Sequence, residues 1–263
     1  MIAVAIDAAR AAGAFLRQHL GKVRQIDLKG GEEKNLVTEV DRGSEEIIVG
    51  MIRRHFPAHD ILAEEGGGAA EGGARRNSET RWIIDPLDGT TNFTHGFPVF
   101  SVSIGIEHRG ELVAGVVYDP NFDELFSAER GKGAYLNGRR MKVSGIGTLA
   151  KSLLVTGFPY DIAHNPDRAI ERFVEFLLHA QAVRRMGSAA IDLAYVAAGR
   201  YEGFWEVALN PWDMAAGALL VTEAGGTITN FAGEAFSVYN KQVLASNGVV
   251  HDEMKALLAR TSG

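Results

Sequence analysis

The chain has 263 residues, with 27 Lys and Arg against 33 Asp and Glu, a formal charge of −6 and no cysteine. That length allows one large domain or two compact halves and buries enough surface to fold without disulfides. The missing cysteine excludes a thiol nucleophile, a zinc–thiolate centre and an Fe–S cluster. The acidic balance argues against a general nucleic-acid grip, which needs clustered positive charge.

In chain order, Ile2, Ile6, Ala9, Gly13, Leu16 and Leu20 recur at helical spacing, so residues 1–20 read as an amphipathic helix. Asp7, Arg10 and Arg17 interrupt what would have to be an uncharged signal-peptide core. No apolar run reaches the roughly 18 residues of a membrane span, and the expected compartment is the cytoplasm. Thr38-Glu39-Val40-Asp41 leads into a second helix through Ile47, Ile48, Met51 and Ile52, stopped near Pro57, with Asp41 a candidate N-cap. Ile61 to Ala63 is a short strand, 66–80 a solvated Gly/Glu/Arg-rich loop, and Trp82 to Ile84 a short buried strand. Val99 to Phe126 reads as an antiparallel meander with turns at Arg109-Gly110 and Pro120-Asn121, followed by a hairpin over 132–138. Beyond about residue 145 strands and helices alternate: strands at 153–156, 183–186, 227–229 and 243–245, helices at 166–180, 188–199, 214–224 and 252–260. This change of texture predicts an α+β half over 1–143 and a layered α/β half over 144–263.

The chemistry concentrates in Trp82-Ile83-Ile84-Asp85-Pro86-Leu87-Asp88-Gly89-Thr90-Thr91-Asn92-Phe93. A buried strand runs into two carboxylates three positions apart, with Pro86 fixing φ between them. Gly89 then permits a close backbone approach, and a turn or helix start there offers N–H groups to an anion. Carboxylates for a hard cation beside amides for a phosphate are the parts of a metal-assisted phosphate site. The same stretch also reads as a strand followed by a DG turn and an ST-turn, with its carboxylates solvated. Asp213, in Asn210-Pro211-Trp212-Asp213, reads as an N-cap or as a ligand; Glu64-Glu65, after a strand, reads as solvated surface or as a ligand. His55 and His59 are four apart, but Pro57 breaks the helix that a metal pair would need. Trp205 and Phe204 read as core, and Arg184-Arg185 as a solvated pair, a subunit contact or a clamp for a second phosphate.

DPLDGTTNF, preceded by the acidic pair and followed by GSAAIDLAYVAAGR and WDMAAGALLVTEAGG, resembles the inositol monophosphatase family over nearly the whole chain. The resemblance implies a five-layered α/β/α/β/α sandwich with the site between the halves. It implies two or three Mg²⁺ ions held by Glu64, Asp85, the Leu87 carbonyl, Asp88 and Asp213. Gly89 and Thr90 then match the phosphate-holding amides, and the Thr90 hydroxyl, partnered by Asp41, positions the attacking water. Gly187, Ser188 and Ala189 match a substrate-contacting turn, and Glu206 the acid that holds ring hydroxyls; Asp88 and Asp213 also border the substrate. The implied activity is hydrolysis of myo-inositol 1-phosphate or a similar polyol phosphate by in-line attack of a metal-activated water, sensitive to lithium. Fructose 1,6-bisphosphatase activity is the alternative, then histidinol-phosphatase, and a transcription-machinery-binding regulator is the non-enzymatic one. A homodimer is implied, with no nucleic-acid or membrane partner. Asn210 stands where animal members carry histidine and Ser188 where they carry threonine, while Lys29 and Lys34 sit in a loop of different length.

Overall fold

A computed structural model describes residues 1–23, 26–28, 36–66 and 78–261. Lys29, Lys34 and most of the loop expected over 66–80 lie outside the described residues. Helix α1 (Ile2–His19) packs on α2 (Glu39–His55). Its buried line is made of Ala5, Ala8, Ala9, Ala12, Gly13 and Leu16, whereas Ile2, Ile6 and Leu20 are only partly buried. Small residues win this face because the helix lies close to the sheet: a Cβ on Gly13 would stand 2.6 Å from the Tyr118 ring.

A short antiparallel pair, β1 (Ile26–Leu28) and β2 (Leu36–Thr38), precedes α2. The main sheet has seven strands in sequence order: β3 (Asp60–Ala63), β4 (Thr80–Asp88), β5 (Ser101–His108), β6 (Glu111–Asp119), β7 (Glu124–Glu129), β8 (Gly133–Leu136) and β9 (Arg139–Arg140). Only β3 and β4 pair in parallel; the rest is the meander expected from the turn signals. Strand β4 is longer than Trp82–Ile84 and includes both aspartates of DPLD. Its register with β5 shifts between Asp85 and Asp88, the bulge in which Pro86, lacking an N–H, is tolerated.

The second sheet has five strands in the order β11 (Ala182–Arg184), β10 (Leu153–Thr156), β12 (Gly203–Val207), β14 (Gln242–Ser246), β13 (Thr227–Thr229). It is mixed: β10 runs parallel to β11 and β12, and β14 antiparallel to β12 and β13. Helices α1 and α2 cover the outer face of the large sheet, next to α3 (Thr90–Thr94). Helices α5 (Ala189–Ala197) and α6 (Pro211–Glu223) lie between the sheets, and α4 (Ala169–His179) and α7 (His251–Arg260) cover the small sheet. The result is the α/β/α/β/α sandwich of five layers. Phe204 and Trp205 are core residues, Trp205 stacking on Phe176 at 3.8 Å.

Helix α6 is buried along Met214–Val221, as a helix packed from both sides must be. The sheet accommodates it with glycine. A Cβ on Gly105 would meet the Ala215 Cβ at 2.5 Å, and one on Gly115 the Ala216 carbonyl oxygen at 2.8 Å. Replacing Gly105 by Ala therefore overpacks the central interface and should cost about 1–3 kcal/mol. Gly50, exposed on α2 with nothing within 4 Å of its missing Cβ, should gain up to about 1 kcal/mol on replacement by Ala. Urea denaturation midpoints of G105A and G50A should move in opposite directions; equal or reversed shifts would contradict this packing.

Candidate active site

Asp41 and Asp213 are not N-caps. The caps are Thr38 and Asn210, and each aspartate sits three residues later as the reciprocal member of a capping box. In each helix the polar residue three positions upstream takes the cap, which leaves the acid inside the first turn. Asp41 Oδ2 accepts from the Thr38 N–H at 2.9 Å and hydroxyl at 2.5 Å. Its Oδ1 lies 2.9 Å from the Thr90 hydroxyl, which is also 3.1 Å from the Leu87 carbonyl oxygen. Asp213 Oδ2 accepts from the Asn210 N–H at 2.7 Å.

Glu64 follows β3, and its N–H donates to the Ile84 carbonyl at 3.2 Å, bringing it beside Asp85 on the neighbouring strand. Two buried polar residues of α2 set this corner. Ser44 donates to the Pro86 carbonyl at 2.7 Å, and Glu45 accepts from the Glu65 N–H at 2.9 Å. Asp85 Oδ1 accepts from the Leu87 N–H at 3.0 Å. Asp88 is held from the second sheet's side of the molecule: Ser188 Oγ at 2.6 Å and the Ala190 N–H at 2.8 Å donate to Oδ2, and the Ala189 N–H at 3.3 Å to Oδ1. Two donors of the Gly187–Ala189 turn are thus engaged by an acid of the first half. Gly89, at φ +104°, begins α3; a Cβ there would meet the Val99 carbonyl oxygen at 3.0 Å and that of Gly187 at 3.2 Å.

Glu64, Asp85, Asp88 and Asp213 act on one another electrostatically. Burial, then Glu64, Asp88 and Asp213, push the Asp85 carboxyl well above the usual range. Burial and Glu64 do the same to Asp213 against its Asn210 hydrogen bond. Burial lifts Asp88 to about 6 despite the donors from Ser188 and Ala190. Asp41 is raised chiefly by burial. Glu206, buried in β12, is pushed up to about 8, again chiefly by burial, with Arg185 opposing and Asp88 adding. Room for its carboxyl comes from Gly157, whose Cβ would lie 2.2 Å from Glu206 Oε1.

Three further residues at this cleft escaped the sequence reading. Tyr160, between β10 and α4, is half-exposed as a residue, and desolvation of its phenol, with Glu64, Asp213, Asp85 and Asp88 nearby, raises the pKa of that group. Asp192 is fully buried on α5, beside Glu206 and Asp88, and its Oδ1 has no hydrogen-bond partner. A lone acid inside the apolar run AAIDLAYVA was the available signal. Asn92 closes the DGTTN motif and bridges the halves, as developed below. The decoys stay apart: His55 Nδ1 contacts the Met51 carbonyl oxygen, and His59 accepts from the Trp82 indole.

An all-oxygen set of mutually repelling acids, Asp85 and Asp88 buried and Glu64 and Asp213 partly so, suits a hard divalent cation, which would relieve the repulsion. As they stand the acids do not encircle one point; among the described residues no three His, Asp or Glu side chains form a ready ligand cage. Hydrogen bonds orient one or both oxygens of Asp85, Asp88 and Asp213, and each carboxylate keeps further lone pairs.

The raised carboxyl groups have a consequence for stability. A carboxyl whose folded pKa exceeds its unfolded one favours the native state when protonated. Stability is then lost as pH rises from the unfolded pKa through the folded one. For Glu206 that window runs from 4.5 to about 8, and Asp85, Asp88, Asp192 and Asp213 act with the same sign. With divalent cations chelated, urea titrations should show stability falling across this window, and E206Q should fall less steeply than wild type. A parallel fall in both would show that folding does not raise the Glu206 pKa.

Comparison with known proteins shows the family and the fold. The model of the inositol monophosphatase family matches residues 1–262. An inositol-1-monophosphatase of Synechocystis sp. is 46% identical over 258 residues, covering 98% of this chain and 88% of its own. A protein of Pseudomonas aeruginosa named Nus factor SuhB is 45% identical over 252 residues, covering 94% and 91%. The solved inositol monophosphatase of Anabaena (Nostoc) sp. superposes with a TM-score of 0.87 at 44% identity, covering 98% of this chain and 95% of that one. Fold, motifs and these likenesses agree, and the chain belongs to the inositol monophosphatase family.

Proposed function

We propose that the chain is a Mg²⁺-dependent phosphatase of small polyol phosphates, with myo-inositol 1-phosphate its best substrate. The observation that carries this reading is the gathering of Glu64, Asp85, Asp88 and Asp213 into one electrostatic cluster beside the Gly89–Thr90 turn. Those four acids and the Leu87 carbonyl would hold the metal. Bound there, Mg²⁺ neutralises phosphoryl charge, orients its oxygens and acidifies water.

The chain's own residues supply the rest. The Thr90 hydroxyl donates to Asp41, so its lone pairs remain to accept a hydrogen bond from the attacking water. Thr38 fixes Asp41 for that task, and Glu64 borders the same space. The amides of Gly89 and Thr90, at the start of α3, hold the phosphate. A carboxyl with a pKa of about 8 is largely protonated at neutral pH, so Glu206 both donates to and accepts from ring hydroxyls. Ser188 and Ala189 serve the substrate by fixing Asp88, and Gly187 leaves room for their turn.

Relatives named Nus factor SuhB favour a second reading, a regulator that binds the transcription machinery. A homodimer is also proposed. Helix α4 exposes Ile170, Val174, Leu177 and Leu178 along one face, an apolar stripe of the kind subunit contacts cover.

Purified protein with Mg²⁺ should release phosphate from myo-inositol 1-phosphate faster than from fructose 1,6-bisphosphate or histidinol phosphate, and lithium should inhibit it. D85N should lower kcat by about three orders of magnitude or more, as expected when a shared ligand is lost. Near-normal turnover by D85N would overturn the reading. Binding partners retained by D85N while hydrolysis is lost would establish the regulatory role as separate.

A further inference from the structure

The two ends of the proposed site belong to different halves of the chain. The phosphate end, Gly89–Thr90, follows β4 of the large sheet, while Gly187–Ala189 and Glu206 belong to α5 and the small sheet. One side chain ties the two backbones together. Asn92 Nδ2 donates to the Val99 carbonyl at 2.8 Å and to the Met186 carbonyl at 2.8 Å, with the Gly187 carbonyl at 3.5 Å. All the acceptors are carbonyls, so the nitrogen must face them, and the two N–H groups are both spent on the bridge.

The turn beyond is built around this amide. Gly187 adopts φ +88°, and a Cβ there would stand 2.9 Å from Asn92 Nδ2 and 2.6 Å from Arg185 Nη1. From Met186 the chain needs two residues to reach Ser188, whose hydroxyl grips Asp88 at 2.6 Å. On the other side the Gly187 carbonyl lies against Gly89, where a Cβ would meet it at 3.2 Å. Asp88 adds a link of equal length through the Ala190 N–H at 2.8 Å, and the links from Ser101 Oγ to Ser188 Oγ at 3.4 Å and from Ser103 Oγ to the Trp212 carbonyl at 3.2 Å are longer.

We propose that Asn92 is a positioning residue that sets the spacing between the phosphate end and the polyol end of the site, and so determines specificity for hydroxylated ring phosphates over phosphate esters that use the phosphate end alone. The inference rests on the phosphatase reading above. Its logic is geometric: a rigid ring phosphate engages the Gly89–Thr90 turn and the Gly187–Ala189 and Glu206 side at once, and an error of about 1 Å in their spacing costs roughly 100-fold, whereas Asp213 rides on α6, which packs on β5 and β6 without Asn92. A small aryl phosphate without hydroxyls spans no such distance.

The experiment compares wild type, N92A and N92D on myo-inositol 1-phosphate and p-nitrophenyl phosphate with saturating Mg²⁺, together with inhibition by inorganic phosphate and the thermal midpoint. N92D keeps the side-chain volume but offers no donor to the two carbonyls, so it serves if N92A fails to fold. In the folded variants kcat/KM for myo-inositol 1-phosphate should fall by about 30-fold or more, with much of the loss in KM, and that for p-nitrophenyl phosphate by less than about 3-fold. The phosphate inhibition constant should stay within about 2-fold, since Asp85 and Asp88 stay on β4 and Asp213 on α6, which packs on the large sheet without Asn92. Equal losses on both substrates would mark Asn92 as a general structural tie and overturn the inference, as would no loss on either. Wild type inactive on both compounds would instead overturn the phosphatase reading, and the inference with it.

Discussion

Repulsion between carboxyl groups is the constraint around which the molecule is arranged. Glu64, Asp88 and Asp213 raise the proton affinity of Asp85, and Glu64 and Asp88 that of Asp213, in a cleft where water cannot screen them fully. The fold sustains the cluster by giving its aspartates backbone or hydroxyl donors. Asp85 has the Leu87 N–H, Asp88 has Ser188, Ala189 and Ala190, and Asp213 has Asn210. Asp41 is held the same way by Thr38. Three of these acids lie at the N-termini of α2, α5 and α6, where the helix dipole also favours negative charge.

The layers make that arrangement possible. Helix α6 starts at Asn210–Asp213 and then runs buried between the sheets, so its first turn is anchored by packing rather than by solvent-facing contacts. Helix α5 packs beside it and offers its N-terminus to Asp88. Glycines at 105 and 115 let the large sheet approach α6 to within backbone contact. The acids of the first half and Asp213 of the second therefore meet through helices held by both sheets, and Asn92 ties the intervening backbones.

Much of this was legible in the sequence, for definite reasons. The meander from β5 to β9 follows its turn residues, and its period-2 pattern survives because strand and turn preferences agree. The acidic positions stand out because DPLDGTTNF and WDMAAG set carboxylates beside a glycine turn and a helix start, the two stretches that carry the family resemblance. Local rules misled where tertiary contacts decide. Asp41 and Asp213 looked like caps, yet the caps are Thr38 and Asn210. Of the face expected for α1, Ala9, Gly13 and Leu16 are buried, while Ile2, Ile6 and Leu20 give way to Ala5, Ala8 and Ala12 because close packing selects small residues. Tyr160 and Asn92 carry no local signal for a role in the cleft, and the lone acid of AAIDLAYVA marks Asp192 without naming its partners. Their partners lie far away along the chain: Met186 for Asn92, Glu206 for Asp192, and the acids of both halves for Tyr160.

The central claim is that acids from both halves share bound cations next to the Gly89–Thr90 turn. The most direct test is an anomalous difference map from crystals grown with Mn²⁺ and phosphate, Mn²⁺ standing in for Mg²⁺. Peaks should lie among Glu64, Asp85, Asp88 and Asp213, with at least one touching Asp213 and a first-half acid together, and phosphate seated on the Gly89–Thr90 amides. Metal bound elsewhere on the surface, or coordinated by the acids of one half alone, would contradict the account.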